Sequence, residues 1–564
     1  MRQSLSRLST LALVLLVATA GAVSADGPVI TWSGFYEFNK NATSETLVMK
    51  WLGEATGTTI QPMHVEQGDM STWWSTTLAS LDFPDVMQYF GTMGDDPNIY
   101  GPQGLFVALD VERDAGNMPN LDRVYAAWDI DNYQRFAPDG HVYLANRLDT
   151  RFLAPRVPGF VLRSDLMEAA GYDPSVPDQF TDIDQVQEAI LAMKPHWDAM
   201  FGGPTTGMHT RGDRGIRNSG QLPRVMYKDE FAADTAMQME PDNVWRFGPL
   251  NPRFKRATEF LRAMHEAGIL HPDYLTMAEK DQRRLDWDEG KTMFWWGTWA
   301  SSIEPTQAER YCTQGTGGDQ FCGFSSYPVV APQVNGEDVW IRQRGIAGPK
   351  ALLSARGDNV AAAVALLDFM YSDEGATLNS YGPEGYAWEW DDTPGNDWHR
   401  RWTLCWSGAY PKVECEENDP DRSKTRGEMI GEGPQIMMQG GPSDTWGMDW
   451  TNYYWDPADP DGRKAARAAT LRIWDEWREA GTWDVPPAPS FGFSPDELDE
   501  KAQLEQQLHT YVDEQIARFI NGQNNMDSDW DRFISRIERL GAEELEEIYN
   551  TAMNRYLDQA GIKL

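Results

Sequence analysis

The sequence predicts an α/β protein divided into at least two lobes. Short β-like runs alternate with helical periods, for example a strand pattern at residues 60–65 and the helical spacing of Ile183, Val186, Ile190 and Met193. Strands that alternate with helices are typical of layered α/β folds. The chain has 564 residues, which is too long for a single hydrophobic core. Its content of 41% hydrophobic and 24% charged residues is that of an ordinary water-soluble globular protein.

The first 25 residues have the features of a cleaved secretory signal. Arg2 and Arg7 precede an apolar run at residues 11–20, and residues 23–25 offer the small side chains that signal peptidase requires. The apolar run is too short for a membrane-spanning helix, and no later stretch reaches about 18 apolar residues. The sequence therefore predicts an exported chain without stable membrane insertion.

Further elements follow in chain order. A second strand pattern at residues 85–90 is entered through Pro84, and an Asp-Gly turn at residues 139–140 leads into a third. Residues 254–264 and 360–370 each show apolar positions at helical spacing. Three similar periods, at residues 508–520, 534–540 and 545–549, predict a helical C-terminal region, and each apolar face is expected to be core.

The charge limits the classes of partner. The formal net charge is −37, and removing Arg2 and Arg7 with the signal makes it −39. So acidic a chain will not bind nucleic acid or an anionic membrane through general electrostatics. Two interpretations remain, a solvated soluble surface or a negative field that attracts a cationic ligand, and we favour the first.

Four cysteines form two local pairs. Cys312 and Cys322 enclose a glycine-rich loop, and Cys405 and Cys415 enclose a second loop. In an exported protein this spacing favours two disulfides. A zinc site is the alternative, but the spacing is not typical of one and no His lies close by, so we expect no metal. No cysteine lies near the cleavage point, which argues against a lipid anchor and favours release into the periplasm.

Six segments carry a resemblance to a known family. Residues 136–143 contain Asp-Gly-His-Val-Tyr, residues 162–166 contain Arg-x-Asp-Leu, and residues 289–297 contain Gly-Lys-Thr-Met followed by Phe-Trp-Trp-Gly. These resemble a hairpin, a strand-to-helix element and a cleft-facing strand of the extracellular solute-binding proteins of ABC importers.

Three later segments extend that resemblance to the C-terminus. Residues 363–375 resemble the family helix that ends in Tyr-Ser-x-Glu-Gly, and residues 381–385 (Tyr-Gly-Pro-Glu-Gly) match a motif of the branch that handles oligosaccharides. Residues 511–556 resemble the closing helical region of that branch. No single motif is specific, but their order and coverage identify the chain as a member of this family.

The resemblance implies a periplasmic-binding-protein fold of type II character, with two α/β lobes, a hinge crossed more than once and an added C-terminal helical region. We expect the N-terminal lobe to comprise residues 26–155 and 342–395, and the C-terminal lobe residues 156–341 and 396–564. The implied function is capture of a carbohydrate, and in particular an oligosaccharide, between the lobes for a membrane permease. We expect a periplasmic monomer without cofactor.

Sugar recognition requires flat aromatic rings for the C–H faces of the sugar and polar groups for its hydroxyls. The chain has 24 Trp, several of them in clusters. Any one Trp is more often a core residue, and strand alternation lets only one ring of the pair Trp295 and Trp296 face a cleft. The candidate ligand-binding residues are Trp32, Glu37, Asn39, Trp73, Trp74, Gln88, Tyr89, Arg211, Trp295, Trp296, Trp299, Arg344, Glu384 and Trp388.

Catalytic motifs do not emerge from the sequence. Residues 290–292 end like a phosphate-binding loop, but Leu285 stands where that loop requires its first Gly. The serine-hydrolase elbow and the zinc-protease helix motif are both missing. We therefore expect no enzymatic activity. The alternatives are an exported carbohydrate-active enzyme, or the same receptor fold with a peptide, polyamine or other non-sugar ligand.

Overall fold

A computed structural model describes sixteen segments of the chain. The predicted signal sequence and all four cysteines lie outside them. The described segments are residues 27–35, 47–65, 69–89, 93–127, 136–149, 159–176, 179–208, 237–240, 242–276, 292–297, 326–330, 347–385, 388–390, 400–402, 438–439 and 491–561.

A six-stranded mixed sheet organises the first part of the chain. Its spatial order is β13-β4-β10-β3-β1-β2, with β10 antiparallel to both of its neighbours and the other pairs parallel. The predicted strand at residues 60–65 is confirmed as β2, and the pattern at residues 85–90 as the shorter β3. The strands are β1 (Val29–Phe35), β2 (Thr59–Val65), β3 (Val86–Gln88), β4 (Ala145–Asp149), β10 (Ala347–Leu353) and β13 (Met438–Gln439).

Both faces of this sheet are buried, because alternate residues of its central strands point to opposite sides. Val86 and Leu353 belong to one apolar cluster, while their neighbours Met87 and Leu352 belong to another. Helices contribute to both clusters and supply the layers on either side of the sheet. These helices are α1 (Leu47–Thr56), α2 (Met70–Ser80), α3 (Asp96–Tyr100), α4 (Leu109–Asp114), α5 (Pro119–Ala127), α9 (Val360–Phe369) and α10 (Asp373–Tyr381).

A second core forms around a three-stranded antiparallel sheet in the order β8-β5-β9, with a separate ribbon of β6 and β7. The predicted helix with Ile183 and Met193 is confirmed, and both side chains are buried in this core. An Asp182–Gln185 capping box starts that helix. The elements are β5 (Gly159–Arg163), β6 (Met237–Met239), β7 (Trp245–Phe247), β8 (Phe294–Gly297), β9 (Ser326–Val330), α6 (Ser164–Ala169), α7 (Ile183–Met200) and α8 (Pro252–Glu266).

The predicted helical C-terminal region is confirmed and joins this second core. It consists of α11 (Pro495–Ile520), α12 (Trp530–Arg539) and α13 (Ala542–Ala560). Leu508, Val512 and Ile537 are fully buried or nearly so in the same cluster as β5 and α7. The tail is therefore an integral part of the second core.

One segment departs from the expected division of the chain. The prediction assigned residues 396–564 to the C-terminal lobe, whereas β13 pairs in parallel with β4 in the first sheet. A two-residue Met-Gln strand carries no periodic pattern, so its pairing was invisible in the sequence. A short ribbon of β11 (Trp388–Trp390) and β12 (Arg400–Trp402) straddles the predicted boundary at residue 395. No helix in the described segments has the length and apolar character that crossing a bilayer requires.

Candidate functional site

The strand register places the carboxyl ends of β1, β2, β3 and β4 at one edge of the first sheet. Strands β1, β2 and β3 run parallel, and β4 runs in the same direction because both β3 and β4 are antiparallel to β10. Their carboxyl ends therefore share one edge with the amino end of β10. In open α/β sheets ligands bind at the carboxyl edge of the strands.

A corresponding edge exists on the second sheet. There the amino end of β5 at Gly159 pairs with Gly297, the last residue of β8, and with Val330, the last residue of β9. Residues 150–158 lead from the carboxyl end of β4 to this edge, and residues 331–346 lead from β9 back to β10. Two crossings thus join the two edges, and these joined edges are the candidate site.

Trp73 and Trp74 lie in the first turns of α2, which begins shortly after the carboxyl end of β2. Trp74 is only 2% exposed, its ring lies 6.2 Å from that of Phe106, and its indole N–H donates to Asp96 Oδ2 at 2.7 Å. Trp73 is half-buried, with its ring centroid 6.3 Å from that of Trp74. Trp74 is thus a core residue in this structure, and Trp73 is the more accessible of the two rings.

The residues at the end of β3 differ in the same way. Gln88 is buried, whereas Tyr89 is half-buried and donates its hydroxyl hydrogen bond to the carbonyl of Gly94 at 2.9 Å. Trp32 lies in the middle of β1 and is 1% exposed in the core between the sheet and its helices. Glu37, Asn39 and Arg344 lie outside the described residues; in sequence the first two follow β1 and the third precedes β10.

At the second edge, the backbone register distinguishes the two neighbouring tryptophans. Trp296 pairs with Phe160, which is fully buried in the second core, whereas Trp295 pairs with Val161. Trp299 comes two residues after the end of β8 in sequence and lies outside the described residues, as does Arg211.

The two remaining candidates lie after α10. Glu384 is exposed and comes two residues after Gly382, the C-cap of that helix, whose φ of 78° suits glycine. Trp388 begins β11 and pairs with Trp402.

The Arg-x-Asp segment that contributed to the family resemblance has a structural role. Arg163 ends β5 with its side chain wholly buried, and it donates from Nε and one terminal nitrogen to the two carboxylate oxygens of Asp165 at 3.0 and 2.6 Å. Its guanidinium carbon lies 5.5 Å from the ring of Trp197 in α7. The fork thus ties β5 to α6 and α7.

The Asp-Gly-His-Val-Tyr segment is also structural. Gly140 has a φ of +87°, and the hydroxyl of Tyr143 donates to Asp139 Oδ2 at 2.6 Å. Asp110 of α4 accepts from the backbone of Val142 at 3.0 Å and lies 2.8 Å from His141 Nδ1. The hairpin is therefore anchored to the start of α4 through one carboxylate.

This anchor predicts a pH dependence. The hydrogen bond to Asp110 raises the pKa of His141 above 6.5. Because the folded pKa is the higher one, the interaction contributes its full stability below about pH 6.5 and loses it as the pH rises through the raised value. In an NMR titration, Asp110→Asn should move the pKa of His141 back toward 6.5, whereas Asp139→Asn should change it less. An unchanged pKa in Asp110→Asn would contradict this assignment.

Sequence reasoning missed the partner of Trp74. Asp96 is separated from it by 22 residues, and burial raises the pKa of its carboxyl while the indole N–H opposes that shift. No pattern along the chain signals such a contact. Within the described segments, no group of three or more His, Cys, Asp or Glu residues is arranged to hold a metal ion.

Of the comparisons with known proteins, only the comparison with solved structures gives a match. No family model matches the chain, and no curated protein sequence matches it significantly. Among solved structures, an HMO-binding solute-binding protein associated with an ABC transporter of Bifidobacterium longum infantis is similar. It has a TM-score of 0.64 at 17% identity, over 95% of this chain and 100% of its own.

Two further structures agree with the first. An alginate-binding protein, solved without calcium ion, has a TM-score of 0.63 at 14% identity, over 94% of this chain and 99% of its own. The S. pneumoniae ABC-transporter substrate-binding protein FusA, in complex with kestose, has 0.61 at 15% identity over 94% and 99%. At these identities the likeness establishes the fold, and the expected α/β periplasmic-binding-protein fold is confirmed.

Proposed function

We propose that this protein is the periplasmic solute-binding component of an ABC importer and that its ligand is an oligosaccharide. The main supporting observation is the likeness over about 95% of the chain to solute-binding proteins described as binding HMO, as binding alginate, or as in complex with kestose. The bound form would then dock on a membrane permease. Residues 1–25 would be removed on export, and the mature protein would act as a monomer.

The joined edges support a binding site between the two cores. Trp73 and Tyr89 are half-buried rings at the first edge. Trp295 lies near the second edge, next to Trp296, whose register partner is the buried Phe160. Rings of this kind stack on the C–H faces of sugars, while Glu37, Asn39, Arg344 and Arg211 are proposed partners for hydroxyl groups. Ligand contacts made to both cores at once would favour a closed arrangement.

We propose that the protein releases its ligand unchanged. A glycoside hydrolase needs two carboxyl groups set across the scissile bond, and a raised pKa marks the acid of the pair. Burial raises the pKa of Asp96, of Asp368 and of Glu546. Asp96 accepts from Trp74, Asp368 from Leu121 and Asn120, and Glu546 from the backbone of Phe247. Each of these carboxyls is therefore bound by groups of the fold itself.

Tryptophan fluorescence tests the proposal directly. The purified mature protein is titrated with human-milk oligosaccharides, fructo-oligosaccharides and alginate oligosaccharides, and each result is checked by calorimetry. At least one series should give a saturable change with one binding event at the joined edges. A flat response and no heat across all three series would contradict the proposal, and binding of peptides or polyamines instead would redirect it to another ligand class.

A further inference from the structure

A surface groove of about 470 Å³ lies between α11 and α12, and none of its lining residues belongs to the joined edges. Its volume falls in the roughly 300–1,000 Å³ range of small-molecule sites. One wall comes from α11 and the other from the end of α12. The groove residues are Gln503, Gln506, Thr510 and Tyr511 on one side and Arg536 and Leu540 on the other.

Helical spacing explains why this face is open. Leu504, Leu508, Val512 and Ile516 are among the buried residues of α11, and they recur every four positions. Gln503, which lies beside them in sequence, is exposed with Gln506 and Thr510 on the outer side. The amide of Gln507 donates to the carbonyl of Leu540 at 2.9 Å, which bridges the helices at one end of the groove.

The lining is rich in neutral hydrogen-bonding groups. Each glutamine amide offers two donors and a carbonyl acceptor, which suits hydroxyl groups that also donate and accept. Tyr511 is half-buried, and its ring lies 6.0 Å from that of Phe533 in a stacked arrangement. Burial raises the pKa of the Tyr511 hydroxyl, so it stays protonated and remains a donor.

The charges at the groove are mixed. Its one acidic residue, Glu514, is paired with Arg518 at 2.6 Å, while Arg536, Arg532 and Arg539 lie close enough to oppose the rise in the pKa of Tyr511. The chain as a whole carries a net charge of −37, which disfavours anions. Leu540 is the one aliphatic residue of the lining, whereas the centre of a protein interface is typically apolar and rich in aromatic residues and Met.

We propose that the groove between α11 and α12 is a second saccharide-binding site, selective for a neutral oligosaccharide. Amides from one helix face bind the hydroxyl groups, and Tyr511 supplies a ring edge and a phenolic donor. The site uses no residue of the joined edges, so it does not depend on the proposed transport function.

Equilibrium dialysis of the full mature protein tests this site, with kestose as the neutral probe and an alginate trisaccharide as the anionic one. At millimolar kestose the wild type should bind a second, weaker equivalent. The double variant Gln503→Ala/Gln506→Ala should weaken that equivalent by about tenfold or more, since both amides are lost. Gln523→Ala is the matched control, because Gln523 is exposed beyond α11 and outside the groove.

The outcomes separate this site from the proposed function. Loss of one equivalent in the double variant alone supports the groove, whether or not Trp295→Ala removes another. If the wild type binds a single equivalent and the double variant retains it, the proposal of a groove site is wrong. The proposal of a site at the joined edges is then unaffected. No bound kestose in the wild type, or a second equivalent for the alginate probe alone, also overturns the groove site.

Discussion

Replacement of Trp295 by alanine should weaken oligosaccharide binding by about thirtyfold or more. An aromatic anchor at the centre of a binding site contributes about 2 kcal/mol or more, and 1.4 kcal/mol corresponds to a factor of ten in Kd. The choice of Trp295 rests on its register partner Val161, since Trp296 pairs with the buried Phe160. The measurement is the Kd from calorimetry with the tightest glycan of the panel.

Two further variants make this test specific. Trp295→Phe keeps a ring and should recover most of the affinity. Trp51→Ala removes a half-buried ring that packs against the first core on α1, so it should lower stability and leave the Kd within about twofold. Equal Kd values for Trp295→Ala and the wild type would remove Trp295 from the site.

Substitution of Asp165 by alanine should destabilise the second core by about 3 kcal/mol. Arg163 is fully buried, and loss of its carboxylate partner leaves an uncompensated charge, which costs about 3–5 kcal/mol in buried pairs. The lower end of that range applies because the Asp165 side chain is 34% exposed. Urea unfolding followed by circular dichroism should show a lower midpoint with an unchanged slope.

A matched control and a charge-free variant isolate the cause. Glu168 lies on the same short helix and is exposed, so Glu168→Ala should change stability by no more than about 0.5 kcal/mol. The double variant Arg163→Met/Asp165→Leu removes both charges and should regain most of the loss. A loss as large in the double variant as in Asp165→Ala would show that packing, and not the buried charge, is responsible.

Much of the fold could be predicted because its signals are local. The strand at residues 60–65, the helix from Ile183 and the three C-terminal helices all follow from short-range periodicity. Strand β13 was not predicted, because two residues are too few to show a repeating hydrophobic pattern. Its pairing with β4 also joins positions nearly 300 residues apart in the chain. Pairing at that distance is decided by tertiary packing and not by local preference.

The site could be predicted less well, because a tryptophan in the core and one in a cleft look alike in sequence. Trp32 and Trp74 were candidates beside Trp73 and Trp295, yet Trp32 lies within the sheet and Trp74 bonds to Asp96. Aromatic residues favour strands and buried helix faces as strongly as ligand sites. The register of β8 against β5, which pairs Trp296 with the buried Phe160, is the reason that Trp295 is the residue proposed for the site.

Native mass spectrometry of the wild-type protein with the preferred glycan tests the central claim most directly. One glycan should bind per monomer at low micromolar protein, and after prolonged incubation all of it should be released at its original mass. A shortened or unsaturated glycan would identify an enzyme. A protein that binds no glycan of the three series, with its fold intact by circular dichroism, would contradict the account.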